Sequence, residues 1–368
     1  MKKFSFYSLV CSIFLVTLFS LVACNSTPDT PKAGTGKLSI VTTIYPEYDW
    51  LKEILGSRAD SVNLSLLTKN GVDLHSYKPT AQDIAKIASA DMIVYVGGES
   101  DEWIKDALEA TPKKGRSEIN LMEALGDRVK AEEIIEGMEA EHHHDEHAEE
   151  HEQEHHNEHA PHHSKQAKGQ AHHDEHAEAH EHHDHEHEVE NDEHVWLSLK
   201  NAKIIVQKIA AEIAKLDPVH ASLYAENANA YVAKIQSLDK DYRVAVENAA
   251  RKTVLFGDRF PFRYLVDDYG LKYHAAFVGC SAESEASFET IAFLAGKMDS
   301  ESLPAILTIE KGNKKIASAV LAASKNSKEA QILTINSMQS VTEQQIANGE
   351  SYLSIMRSNL EVLKQALK

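Results

Sequence analysis

Strand-like and helical segments alternate along most of this 368-residue chain. Short runs rich in β-branched residues, such as residues 38–44 and 305–309, are followed by segments whose apolar residues have helical spacing. This alternation predicts an α/β fold with two lobes of parallel sheet and flanking helices. The helical pattern over residues 218–249 is too long for an ordinary crossover. We therefore expect one long rigid helix to join an N-terminal lobe, residues 37–217, to a C-terminal lobe, residues 250–368.

One segment cannot contribute to a core. Residues 142–187 contain 18 of the 22 histidines, almost all beside Glu or Asp. Residues 141–193 contain 18 carboxylates and two lysines, which accounts for 16 of the 19 net negative charges. Because such a composition cannot offset the entropy of ordering, we predict a disordered insertion over residues 141–191. Imidazole binds Zn, Cu and Ni well, so the insertion also indicates metal handling; the alternative is a solvated acidic spacer.

The amino terminus has the layout of an export signal. Two lysines precede the apolar run of residues 4–19, which is short for a membrane span. The Leu-Val-Ala-Cys that follows resembles a bacterial lipobox. We predict a signal peptide over residues 1–23, lipidation of Cys24, a tether over residues 24–36, and attachment to the outer face of the cell membrane. The alternative is an ordinary signal peptide with an incidental cysteine.

Four isolated residues lie where ligands of open α/β sheets bind, near the carboxyl ends of strands. His75 follows the second predicted strand, and His194 lies where the histidine-rich segment meets a helix. Asp258 follows the first predicted strand of the C-terminal lobe, and Glu310 ends the strand at residues 305–309. These four residues are therefore the candidates for a binding site at the strand ends.

Each candidate also has a structural interpretation. A single histidine after a strand is often a polar residue whose hydrogen bonds are satisfied within the fold. Glu310 can cap the following helix or pair with nearby lysines, and Asp258 can pair with Arg259 or Arg263.

The chain resembles the metal-binding lipoproteins that feed zinc or manganese ABC importers. The matching segments are HSYKPT at residues 75–80 with Asp83, HVWL at residues 194–197, and TIE at residues 308–310. The resemblance implies that one ion is held between the two lobes. It also implies that His75 and His194 are ligands from the first lobe and that Glu310 is a carboxylate ligand from the second.

The chain departs from this family pattern at one ligand. Family members usually carry His or Glu in the turn after the first strand of the second lobe. Here that position falls on Gly257 or Arg259, depending on the direction of matching. Asp258 between them could supply an oxygen ligand, or Cys280 or Glu285 could be recruited instead.

The sequence predicts a zinc-binding protein outside the cytoplasm that captures the ion and delivers it to the permease of an ABC importer. The histidine-rich insertion favours Zn²⁺ over Mn²⁺. We expect a monomer without enzymatic activity, because no convincing general base lies outside the insertion. Nucleic acid is disfavoured as a partner by the negative charge. The alternatives are a manganese or iron counterpart, a metal-buffering surface lipoprotein, and a surface zinc hydrolase.

Overall fold

The computed structural model describes residues 37–139, 190–281, 285–325 and 330–368. The predicted signal peptide, Cys24, the tether and most of the histidine-rich insertion lie outside the described residues. The backbone N–H of Glu132 donates to the carbonyl of Glu190 at 2.8 Å, and Asn191 forms an antiparallel bridge with Ala131. Two residues that we placed in the insertion are therefore held against the preceding segment.

The first sheet is built from parallel strands in the order β2-β1-β3-β4 in the described part of the chain. Its strands are β1 (Ser39–Thr42), β2 (Asn63–Leu66), β3 (Met92–Tyr95) and β4 (Ser117–Asn120). The helices around it are α1 (Tyr45–Leu55), α2 (Ala81–Ser89), α3 (Trp103–Ala110) and α4 (Leu121–Leu125). The Thr80 hydroxyl accepts from the N–H of Asp83, and the Asp83 carboxylate accepts from the N–H of Thr80, so a capping box begins α2.

Two helices follow the first sheet, α5 (Leu199–Leu216) and α6 (Ala221–Glu247). The long helix α6 packs against α1 and α5, and its buried side chains include Tyr224, Tyr231 and Ile235. Near its other end, the Tyr242 hydroxyl donates to the carbonyl of Met356 at 2.6 Å. The long helix therefore contacts both halves of the molecule, the first half being the part of the chain before this helix and the second half the part after it.

The second sheet is also parallel, in the order β6-β5-β7-β8 within the described ranges. Its strands are β5 (Thr253–Phe260), β6 (Lys272–Val278), β7 (Ala305–Ile309) and β8 (Gln331–Ile335). Its helices are α7 (Arg263–Tyr269), α8 (Phe288–Ser300), α9 (Lys315–Ala323), α10 (Glu343–Ala347) and α11 (Tyr352–Ala366). The predicted fold class, two parallel sheets with flanking helices and a long helix between them, is confirmed.

The carboxyl terminus forms two helices, α10 and α11, because the chain turns at Gly349 with φ of 89°, a conformation that glycine adopts readily. The boundaries of the two lobes stay predictions.

One apolar core runs from the first sheet through α5 and α6 to the second sheet. The rings of Trp50 and Tyr352 meet edge to face with centroids 5.2 Å apart, and the N–H of Tyr352 donates to the carboxylate of Asp49 at 2.9 Å. These contacts join α1 beside the first sheet to α11 beside the second sheet. In the described ranges, no helix combines the length and the apolar character needed to cross a membrane.

Candidate metal centre

The residues of the candidate centre follow the carboxyl ends of strands from both sheets. His75 comes after β2 and Ser100 after β3, whereas Cys280, Glu310 and Gln339 follow β6, β7 and β8. Because the strands within each sheet are parallel, their ends collect these side chains at one edge.

His75 lies in a short 3₁₀ turn, Leu74–Ser76, that is capped by Asp73. The Asp73 carboxylate accepts a hydrogen bond from the backbone N–H of His75 at 3.1 Å. Nδ1 of the imidazole lies 2.5 Å from the hydroxyl oxygen of Ser100. Burial, reinforced by the neighbouring His194, lowers the pKa of His75 to about 3. The imidazole is therefore neutral near pH 7 and has a lone pair available for a metal.

His194 is fully buried and precedes the 3₁₀ turn Val195–Leu197. One carboxylate oxygen of Asp192 accepts from the backbone N–H of His194 at 2.8 Å and lies 3.0 Å from Nδ1 of the ring. A proton on Nδ1 that is shared with this carboxylate places the lone pair of the ring on Nε2. Carboxylates that orient imidazoles in this way are typical of metal sites.

The two imidazoles meet, although 119 residues separate them in sequence. Nε2 of His75 lies 3.2 Å from Nε2 of His194, and the ring planes are inclined by 59°. The amide nitrogen of Gln339 lies 2.8 Å from Nε2 of His75 and 2.9 Å from Nε2 of His194. One amide NH₂ group therefore donates to both lone pairs, which are the same lone pairs that a shared cation would use.

Glu310 is buried near this pair but is engaged with the backbone. Its carboxylate accepts from the N–H of Ser337 at 2.7 Å, from the Ser337 hydroxyl at 2.8 Å and from the N–H of Gln339 at 3.2 Å. Burial raises the pKa of Glu310. In this geometry Glu310 fixes the turn that carries Gln339, and its role as a ligand stays a prediction.

Asp258 is engaged in a similar way. Its carboxylate accepts from the N–H of Arg259 at 3.0 Å and from the N–H of Ile309 at 3.2 Å, where the pairing of β5 with β6 shifts register. Burial raises the pKa of Asp258. The carboxylate thus joins the ends of β5 and β7, and its role as a metal ligand also stays a prediction.

Cys280 lies beside the two imidazoles, in the turn after β6. Potential ligand atoms of His75, His194 and Cys280 all lie within 4.8 Å of one another. A Cβ at Gly279 would lie 3.0 Å from the His194 ring and 2.9 Å from the carbonyl of Phe260, so glycine permits the close approach of this turn. Burial raises the pKa of the Cys280 thiol well above its ordinary value. The structure thus brings together both predicted histidines and the cysteine, whereas Glu310 and Asp258 are not in this group.

A cavity of about 620 Å³ opens beside His75 between the two halves of the molecule. Its lining includes Asp73 from the first half, together with Arg259, Glu310 and Gln339 from the second. The cavity gives a solvent path to the imidazole pair.

The chain matches the family described as zinc-uptake complex component A, periplasmic (ZnuA), over residues 40–366. The chain belongs to this family.

Similar proteins occur in Streptococcus pneumoniae and Bacillus subtilis. The zinc-binding lipoprotein AdcA of Streptococcus pneumoniae is 32% identical over 99% of this chain and 61% of that protein. The high-affinity zinc uptake system protein ZnuA of Bacillus subtilis is 30% identical over 100% of this chain and 98% of that protein. The crystal structure of the Zn(II)-bound ZnuA-like domain of S. pneumoniae AdcA matches with a TM-score of 0.62 at 28% identity, covering 90% of this chain and 99% of that domain. The chain thus spans 61% of the length of AdcA.

The two positions at which we expected a His or Glu ligand, Gly257 and Arg259, have other surroundings in the structure. A Cβ at Gly257 would lie 2.6 to 2.9 Å from the backbone and Cβ of Ala317, so no side chain fits there without movement of α9. Arg259 instead forms an ion pair with Asp73 across the two halves. Although burial opposes it, the guanidinium lowers the pKa of Asp73. Neither position supplies a metal ligand.

Sequence reasoning missed Asp192, Ser100 and Gln339. The position of Asp192, two residues before His194, was a usable signal, because a short carboxylate there can reach the ring nitrogen. Gln339 has no such signal, because its contact with His75 joins residues 264 positions apart.

Proposed function

We propose that this protein binds one zinc ion through His75 and His194 and delivers it to the permease of an ABC importer. The main support is the 3.2 Å separation of the two Nε2 atoms. A tetrahedral zinc ion with Zn–N distances of roughly 2.0–2.1 Å holds two nitrogens about 3.3 Å apart. The imidazole pair is therefore spaced for one shared ion.

The groups around the imidazoles support the same proposal. A metal-bound histidine usually donates its other ring N–H to a neighbouring group, which fixes the ring orientation. Asp192 occupies this position behind His194, and the hydroxyl of Ser100 occupies it behind His75. The zinc-uptake family of this chain and its zinc-binding relatives in S. pneumoniae and B. subtilis also support zinc as the cargo.

The proposed mechanism is capture and release without bond chemistry. Zinc enters through the cavity beside His75, displaces the amide of Gln339 from the two lone pairs, and is held between the two sheets. The loaded protein then docks on a membrane permease as a monomer and releases the ion. Lipid on Cys24 would hold the exported protein at the outer face of the membrane, as the name lipoprotein of its S. pneumoniae relative also suggests.

The histidine-rich insertion would raise the metal concentration near the centre. Glu190 pairs with Glu132, and His194 follows four residues after Glu190. Metal bound by the insertion would thus be tethered next to the proposed site, and the length of the tethering segment would set its effective concentration.

Zinc calorimetry tests this proposal on a protein without residues 1–24, in which residues 141–189 are replaced by a short Gly/Ser linker. We expect one tight site, and we expect His75→Ala and His194→Ala each to weaken it by more than about 100-fold, beyond the usual effect of losing a supporting group. His220→Ala is the matched control, because His220 pairs with Asp217 in a different part of the fold and should not affect zinc. If both site variants bound zinc normally, the proposal would fail. Zinc binding by the uncut chain with no tight site in the trimmed protein would indicate a metal-buffering lipoprotein.

A further inference from the structure

The proposed zinc site needs a ligand from the second half of the molecule. Two imidazoles from the first half leave a tetrahedral ion two positions short of a full set. Gly257 has no space for a side chain, Arg259 is paired with Asp73, and the carboxylates of Asp258 and Glu310 accept hydrogen bonds from the backbone.

Resting on the function proposed above, we propose that Cys280 supplies the ligand from the second half, so that zinc is bound by two imidazoles and one thiolate. Among the described residues, His75, His194 and Cys280 form a group whose potential ligand atoms lie within 4.8 Å of one another. The fourth position is left for water or for a side chain that moves on loading.

The geometry requires only a small movement of the thiol. Zn–S bonds of about 2.3 Å and Zn–N bonds of roughly 2.0–2.1 Å place a sulfur and a nitrogen about 3.6 Å apart on a tetrahedral ion. Because the ligand atoms lie within 4.8 Å of one another, the thiol must approach the imidazoles by about 1.2 Å at most, which is within reach of a side-chain rotation. The neighbouring Gly279 already lies against the ring of His194, so the backbone of the turn can stay in place.

Zinc binding by a cysteine releases the thiol proton. The zinc–sulfur bond forms as the S–H bond breaks, and sulfur keeps the electron pair. Burial raises the pKa of the Cys280 thiol, the nearby Glu132 carboxylate raises it further, and this carboxylate is the acceptor for the proton. The products are a zinc thiolate and a protonated carboxyl group, and no oxidant or reductant is needed.

A thiolate changes the choice of metal. Soft sulfur ligands favour zinc and other borderline or soft ions, whereas carboxylate and water ligands suit Mn²⁺. Cys280 would thus make the centre select zinc and disfavour manganese, independently of the histidine-rich insertion.

Cobalt absorption spectroscopy on the full chain tests this inference. Co²⁺ replaces zinc in tetrahedral sites, and a cobalt–thiolate bond produces a near-ultraviolet charge-transfer band that imidazole and carboxylate ligands do not produce. We expect this band with the first equivalent of Co²⁺, its loss on addition of Zn²⁺, and its persistence in excess Mn²⁺. The difference spectrum between the full chain and its Cys280→Ser variant isolates Cys280, because Cys11 and Cys24 are present in both proteins.

Zinc affinity gives a second measurement. We expect Cys280→Ser to weaken zinc binding by at least about tenfold, the smaller effect seen for supporting groups in metal sites. Cys280→His should restore most of the affinity without the charge-transfer band, because imidazole replaces the thiolate as a ligand.

The results separate this inference from the function on which it rests. If His75→Ala and His194→Ala abolish tight binding while Cys280→Ser keeps full affinity and the full chain shows no thiolate band, the inference about Cys280 is wrong and the zinc function stands. If the histidine variants bind zinc normally, the proposed function is wrong, whatever the Cys280→Ser variant does.

Discussion

In the first half of the candidate metal centre, polar side chains contact Nδ1 of each imidazole, whereas in the second half the acidic side chains accept hydrogen bonds from the backbone. Asp192 holds Nδ1 of His194, and Ser100 contacts Nδ1 of His75, so both Nε2 atoms face each other. Glu310 and Asp258 instead accept hydrogen bonds from the N–H groups of strand ends and turns.

This difference shows that a residue type suited to metal binding does not by itself identify a ligand. The carboxylates of the second half have the right chemistry, but their oxygens already stabilise buried backbone donors, and an unpaired buried donor costs about 1–3 kcal/mol. The groups of the second half that approach the imidazoles are the amide of Gln339 and the thiol of Cys280.

Among the groups that support the two imidazoles, the largest effect is expected from loss of the carboxylate behind His194. Asp192→Ala should weaken zinc binding by roughly 10- to 100-fold, because the imidazole loses its orientation and its negative partner. Competition with a zinc-binding dye measures this change. Asp217→Ala is the matched control, since it removes the carboxylate partner of His220 at a different place in the fold. Unchanged affinity in the Asp192 variant would mean that packing against Trp196 alone orients the ring.

A smaller effect of opposite sign is expected in the second half. Gln339→Ala should tighten zinc binding by about tenfold, because zinc no longer competes with two hydrogen bonds worth roughly 0.5–1.5 kcal/mol each. The same dye competition measures it, with Gln344→Ala on the exposed face of α10 as the control. Weaker binding in the Gln339 variant would instead make the amide oxygen a ligand, and the second half would then contribute more than the thiol.

A pH effect is expected from acids buried behind Ser100. Burial raises the pKa of Asp101 to about 7, and burial also raises the pKa of Glu47. The folded protein therefore holds these protons more tightly than the unfolded chain, whose carboxyls titrate near about 4. The tighter proton binding adds to the free energy of unfolding. For Asp101 this contribution is fully present below about pH 4 and is lost as the pH rises through about 7.

Urea unfolding at several pH values between 5 and 7 measures the effect. The free energy of unfolding contributed by Asp101 should fall by up to about 1.4 kcal/mol per pH unit. Asp101→Asn removes the titrating group, so its slope should be shallower. The variant is also less stable, because the N–H of Val96 or the N–H of Gly97 then faces an amide NH₂ group where it had an oxygen acceptor. Equal slopes in the two proteins would show that Asp101 does not carry this proton.

Elements with a strong local pattern could be predicted from the sequence. Elements that form only through contacts with distant segments could not. The β-branched run at β1, the cap at Thr80 and the long helix α6 were predictable because each depends on local residues. The short strand β4, Ser-Glu-Ile-Asn, has no such pattern and forms because it pairs with β3.

The same distinction applies at the centre. His75 and His194 were found from their local motifs, and the structure places their Nε2 atoms 3.2 Å apart. The engagement of Glu310 with Ser337 could not be inferred, because it depends on how the ends of β7 and β8 are arranged in space.

The amide of Gln339 would also raise the free-zinc concentration at which half of the proposed sites are loaded. Because the amide donates to both imidazoles, zinc would have to displace it from the two lone pairs. After the ion has left, the amide can return to the imidazoles and oppose recapture. Such an internal competitor for the ligand atoms would favour complete release of the ion to a partner protein.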